Sequence, residues 1–554
     1  MSDAAEEVKF SLKVMVNKQK TKVLFAEADS DFADVLLSFL TLPLGTIVRI
    51  MYKHYGDKAP IIGSLTTLYN GLSNLDSVYF WTESGKQMLL NPRNSSETEC
   101  RKLKLNVNDT QPAKYFTCED WNCGYPRYSN IGMYYGTALC ACGKTLKREI
   151  NVDEFFQANG NCDDGVFTIK TASFIICDDL RIAPNVVGSV METLESLGIT
   201  DTLGAELMNV TFGFNEASLV MDLLKGSFLS WTPLTDIILN KGQIDSAIPC
   251  HEPGISFDNI EKESISDAKK MTLKVMVQKS TNKLMFAQAE EDFVDFLFSL
   301  LTIPLGGVES LLGSNTSVKC IDNLHRSLAN INDDKYLKTK YIETMLLKPK
   351  PPLGYVSKNQ ILPLTEEIAP FLYRCAGNFR DQDYLSTPDK RGSFGPQVPC
   401  FKSPKGEGNY VNGARMFMVT DDLTVTPLCM SSSLSILNGL EIPLSDVKEL
   451  KLHIGLEEGP KGFKKRKYWA WLLASLVLGK ELYLAISLKG PKGFKKRKYW
   501  AWLLPSLVLG KELQKPKRLT LSNWASRRLM DKQVRRLDAF VSFEIGRNLM
   551  NPSS

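Results

Sequence analysis

The chain has 554 residues, 44% of them hydrophobic and 23% charged, with a formal net charge of +5. This is the composition of a folded, soluble protein with enough apolar residues for two sizeable cores, and it excludes a disordered chain. The charge is unevenly held: residues 459–554 carry 22 Lys and Arg against 5 Asp and Glu, and residues 1–458 carry 45 against 57, so a body of −12 precedes a tail of +17. The opening MSDAAEEVKF has no basic segment followed by an apolar run, so no secretory signal is expected and the setting is cytoplasmic or nuclear. The 12 cysteines are then thiols or metal ligands rather than disulfides, and the sequons at Asn94 and Asn108 are chance matches.

From Phe10, FSLKVMV alternates apolar and polar positions, QKTK supplies a polar turn, and KVLFAEA forms a second short strand, which predicts a β-hairpin. Asp29, Ser30 or Asp31 can cap the helix that follows. In that helix Phe32, Val35, Leu36, Phe39 and Leu40 share one face, and Pro43 and Gly45 are read as its end. Helical patterns recur at 63–75, 185–197 and 216–229, while 167–176 and 414–420 read as strands. Strands and helices mix without regular βαβ spacing, so the expected class is α+β.

The chemistry with the clearest spacing is a cysteine cluster, Cys118-x4-Cys123 followed by Cys140-x-Cys142. Four thiolates satisfy tetrahedral zinc, and two cysteine-bearing turns in this proximity can close around one ion as in a zinc ribbon. Gly124 and Gly143 suit the tight turns beside the ligands. The spacing departs from paired CxxC, and ordinary free thiols are the competing reading. Four cysteines leave no open position for catalysis, so the expected cofactor is structural zinc, held 3.5–4 Å from sulfur to sulfur for ~2.3 Å bonds. Asp178-Asp179 and Asp421-Asp422 are paired carboxylates, read as turn or capping residues before acid–base groups. The four histidines, His54, His251, His325 and His453, are scattered.

The block LKVMVNKQKTKVLFAEADSDFADVLLSFLTLPLG, from Leu12, returns at Leu273 as LKVMVQKSTNKLMFAQAEEDFVDFLFSLLTIPLG, with 20 of 34 positions identical at an offset of 261. LYNGLSNL is echoed by LHRSLANI, MLLNP by MLLKP, YFTC by LYRC, and FIICDDLRIAP by FMVTDDLTVTP. A repeat of this length implies two copies of one domain rather than a short array. The second copy keeps only Cys375 of the four cysteines. The opening block, the YFTC cluster, the DDL segment and LLKGSFLSWTPLTDIIL resemble the plant domain of unknown function 674 family, over roughly residues 8–240 and 271–458. The resemblance implies tandem copies of one domain with no established activity or catalytic residues.

Residues 241–270 form a polar linker with Pro249 and Pro253, and its Cys250-His251 pair lacks the second pair a metal site needs. In the tail, GPKGFKKRKYWAWLLASLVLGKEL from Gly459 recurs from Gly490 with Ala474 replaced by Pro505. Each apolar run of this unit would rise only about 16 Å as a helix, short of the ~30 Å hydrocarbon core, so no transmembrane helix is expected. KKRK beside Trp and Leu fits a surface-bound segment or a nuclear localisation patch, while the near-identity of the two units and Pro505, which disfavours a second helix, fit a tail with no selected function.

The sequence therefore predicts an α+β protein of two copies, 8–240 and 271–458, joined by the linker. Each opens with a β-hairpin and a helix, and a basic, irregular or helical tail follows at 459–554. A duplicated core with no catalytic constellation shared by both copies points to a non-enzymatic binding module that contacts a protein partner. The other readings are an enzyme with a carboxylate or metal site, or membrane-surface or nucleic-acid association through 461–467 and 492–498. No catalytic residue and no small-molecule substrate is identifiable.

Overall fold

The computed structural model separates into two units, Met1–Ile486 and Ser487–Ser554. It describes residues 10–454, apart from short stretches and all or most of 121–130, 153–164, 187–201, 241–270 and 376–400. Most of the expected helix at 185–197, the Cys250-His251 pair and the basic tail lie outside the described residues.

Strand β1 (Phe10–Val16) buries Phe10, Leu12, Val14 and Val16 on one face, as its period of two requires. It pairs antiparallel with β2 (Val23–Asp29). The turn between them is closed by Asn17, whose side-chain oxygen accepts from the Thr21 and Lys22 amides at 2.8 and 3.0 Å. Asp29 then caps α1 (Ser30–Ser38) by accepting from Phe32 N at 2.9 Å. The second half repeats this order in β9 (Met271–Gln278), β10 (Leu284–Glu290) and the helix Glu291–Ser299. β6 (Ser173–Cys177), β7 (Ile182–Pro184) and β8 (Glu206–Phe212) complete one antiparallel sheet, ordered β7-β6-β2-β1-β8. β14 (Met416–Thr420), β15 (Val425–Pro427) and β16 (Val447–Ile454) complete its counterpart, β15-β14-β10-β9-β16. Antiparallel sheets with helices set against them make the class α+β.

The LTLPLG and LTIPLG segments do more than end a helix. Pro43 sits at the N-cap of α2 (Leu44–Tyr55), with φ −61° and ψ 145°, so the proline that closes one helical stretch opens the next. The matching Pro304 opens the helix Leu305–Leu312. These two openings bond each other: Leu44 N donates to Ile303 O at 3.0 Å and Leu305 N donates to Leu42 O at 2.9 Å.

Beyond this seam the halves exchange their helices. α3 (Gly63–Asn74) packs on β15 and on the Glu291–Ser299 helix of the second half, followed in its own half by α4 (Glu83–Leu90) and α5 (Glu97–Cys100). In the first half's C-terminal region α6 (Glu216–Leu229) and α7 (Pro233–Ile238) follow β8. In chain order the second-half helices are then α8 (Glu291–Ser299), α9 (Leu305–Leu312), α10 (Lys319–Asn330), α11 (Lys340–Leu347) and α12 (Met430–Gly439). α10 packs on β7 of the first half as α3 packs on β15, and also on α6. Short bridges follow the same rule: Trp81 N donates to Tyr410 O at 3.0 Å and Lys338 N donates to Phe167 O at 2.9 Å. Composition allowed two cores, but among the described residues the main apolar core is continuous across both halves, from Phe10 through Leu40 and Leu301 to Val425, with smaller clusters beside it.

Candidate metal centre

A third sheet carries the cysteines. β3 (Tyr115–Cys118) pairs with β5 (Leu146–Val152) and β4 (Ile131–Gly132), and ends by delivering Cys118 opposite Leu146. The strands of the second half join its edges: β12 (Tyr384–Ser386), itself paired with β11 (Tyr373–Cys375), runs parallel to β5, and β13 (Phe401–Lys402) runs parallel to β4. The order is β11-β12-β5-β3-β4-β13.

Cys123 follows a turn in which its amide donates to Asp120 O at 3.2 Å. The other pair lies on a tighter turn: Gly143 N donates to Cys140 O at 2.9 Å and Cys140 N donates to Lys144 O at 2.8 Å. Gly143 has φ +84°, and a Cβ there would meet nothing within 4 Å, so backbone conformation rather than space calls for glycine. The four sulfurs of Cys118, Cys123, Cys140 and Cys142 all lie within 4.8 Å of one another. Cys118 to Cys142 is 3.5 Å and Cys123 to Cys140 is 3.8 Å. Such spacings suit the edges of a tetrahedron around one ion with ~2.3 Å metal–sulfur bonds, and the group could hold a metal ion such as zinc. The expected separation of 3.5–4 Å is met by these two pairs.

Burial grades the four thiols. Cys118 and Cys140 are buried beside Phe116, Ala138 and Leu146, Cys123 is half-buried, and Cys142 is exposed. The Lys144 backbone N–H, with the neighbouring sulfurs, draws the Cys142 thiol down to about 7, while burial pushes Cys118 up to about 12. An ion entering the site would displace the remaining protons, since thiolate is the ligand form. Around the cluster, Lys144 pairs with Asp120 at 2.7 Å, Lys147 with Glu119 at 3.5 Å and Lys114 with Glu149 at 3.2 Å. Three lysines beside the cluster are thus paired with carboxylates.

The other sequence candidates are occupied by the fold. Asp178 accepts from Thr235 N at 2.8 Å and from Thr235 Oγ1 at 2.7 Å, and Asp422 accepts from Thr424 N at 3.1 Å. Both aspartate doublets sit in tight turns, as anticipated. His325 is buried with both nitrogens engaged, Nδ1 with Ser314 Oγ at 2.7 Å and Nε2 with Leu347 O at 2.9 Å. Asn94 and Asn108 are each 2% exposed, which removes both sequons from any modifying enzyme. Sequence reasoning missed the bolt between ribbon and second half, a hydrogen bond of 2.7 Å between the Tyr134 and Tyr355 hydroxyls. No local pattern marks a contact between residues 221 positions apart. No helix among the described residues is long and apolar enough to cross a membrane.

An α+β chain with a four-cysteine cluster on a sheet built by both halves is the class that fold and site define. Residues 6–457 match the family described as "Protein of unknown function (DUF674)", and the chain belongs to that family. No curated protein and no solved structure matches it.

Proposed function

We propose that this is a non-enzymatic binding module whose first half carries a structural zinc ribbon. The observation that carries this reading is the closure of four thiol sulfurs within 4.8 Å, a ligand set that completes tetrahedral coordination and leaves no open position for substrate. The engagement of Asp178 and His325 inside the fold supports it further, because neither is left to act on a substrate. The family resemblance adds a plant protein built of two copies of one domain, and the duplicated core, without a catalytic constellation shared by both copies, supports a protein partner. The basic composition of residues 459–554 supports the tail as the site of any nucleic-acid or membrane contact.

Elemental analysis of the purified full chain tests the metal reading. One equivalent of zinc, lost in Cys140→Ser, is the expected result. Iron in its place would make the site a redox centre, and less than a tenth of an equivalent of any metal would return the cluster to ordinary thiols. Pull-down from cell extract with the full chain and with residues 1–458, compared, separates partners of the body from partners of the tail.

A further inference from the structure

The contacts between the halves are reciprocal residue by residue. Leu42–Leu44 meets Ile303–Leu305 in an antiparallel bridge centred on Pro43 and Pro304. Asn412 N donates to Tyr79 O at 2.8 Å, and Ile169 N donates to Tyr336 O at 3.0 Å. The receiving segments are held by equivalent buried carboxylates. Asp34 accepts from Val166 N at 2.7 Å and Thr168 N at 2.8 Å, and Asp295 accepts from Tyr410 N at 2.6 Å and Val411 N at 3.0 Å. Gly71 lets α3 approach until a Cβ there would meet Val425 N at 3.0 Å, and Ser327 of α10, at the matching place, accepts from Ile182 N at 3.2 Å.

Each half therefore sends its helices to cover the other's sheet and receives the other's helices on its own. A half taken alone would expose the β7 or β15 edge, the seam at Pro43 or Pro304, and the apolar faces of the helices it normally lends. We infer that the surface of each half is a recognition surface whose fitting partner is the complementary half, so that the connection at 241–270 raises local concentration but is not needed for pairing. Severed there, the halves stay bound and unfold together; separated, neither keeps its sheet. Two independent beads on a flexible linker, each free to engage its own target, are the arrangement this replaces.

The test uses the full chain with a protease site placed within 241–270 and a different affinity tag at each end. After cleavage, both fragments should co-purify on either tag, co-elute in gel filtration and unfold in one transition by circular dichroism. Fragments that part while each retains its share of secondary structure would overturn the inference. Two substitutions locate the surface. In Gly306→Val, a Cβ would meet Leu346 O at 2.7 Å within its own half and Leu40 O at 3.0 Å across the seam, so association of the cut halves should weaken at least about tenfold. Ser327→Ala keeps the packing but strips the partner from Ile182 N, so about fivefold weakening is expected even where Gly306→Val fails to fold. Gly439→Ala, with nothing within 4 Å, serves as the control and should change nothing. Equal association of Ser327→Ala and the control would place the recognition surface elsewhere and sink the inference.

Discussion

Asp178 shows how a sequence feature that suggests catalysis serves the fold instead. Its carboxylate grips the amide and hydroxyl of Thr235, and Thr235 Oγ1 in turn accepts from Val23 N at 2.9 Å, so one aspartate ties the β6–β7 turn to α7 and β2. Burial pushes this carboxyl up to about 6. An unfolded aspartate gives up its proton near 3.9, so between about pH 4 and 6 the folded chain binds more protons than the unfolded one. The contribution of this group to stability therefore falls as pH rises through that window. Asp178→Asn should remove the dependence: the stability difference between native chain and variant should shift by roughly 2–3 kcal/mol from pH 4 to pH 7, read by denaturant unfolding at each pH. A difference that stays flat would mean that the Thr235 bonds keep the carboxylate ionised throughout. The doublets were legible as turn residues, but the turn itself was not. Leu180 and Leu423 complete it with φ of 59° and 62° while fully buried, a left-handed conformation that a glycine would have announced and a leucine conceals.

At the level of elements, the parts with strong periodicity were readable and the parts made of short pieces were not. The hairpins, α3 and α6 follow from alternation and from apolar spacing over seven or more residues. β11, β12 and β13 are two or three residues each, too short for a period, and their partners lie in the other half. The cysteine spacing suggested a ribbon, yet nothing in it told that the ribbon supplies sheet edges to the half that lacks its cysteines. That placement has a measurable consequence. If the cluster holds zinc as proposed, treating the full chain with a chelator, or substituting Cys140→Ser, should raise amide hydrogen exchange in β3, β4 and β5 and also in β12 and β13, because the latter two hang on β5 and β4. The two five-stranded sheets, held by the continuous core, should keep their protection. Exchange that rises in the first half alone would show that the second half's strands do not depend on the ribbon.

Across the whole molecule the decisive contrast is between a body of −12 and a tail of +17. The reciprocal core makes the body respond as one unit, so any support the tail lends is expected to appear as a shift of a single unfolding transition and not as loss of one half alone. The family match ends at residue 457, just before the basic residues begin, so the tail lies outside the family's shared region. KKRK followed by Tyr, Trp and Leu, twice over, has the composition of a segment that lies on an anionic surface, with basic groups contributing about 1 kcal/mol each near the membrane and aromatic rings at headgroup depth. The full chain should then sediment with vesicles containing anionic lipid and lose that binding as ionic strength rises past the point where the screening length is about 8 Å, while residues 1–458 stay in solution at every salt concentration. Binding that survives high salt would assign it to the Trp–Leu runs rather than to KKRK. Equal binding with and without residues 459–554 would eliminate the tail as a membrane contact, leaving its charge to a nuclear or nucleic-acid role that the same pair of proteins can test against duplex DNA at matched salt.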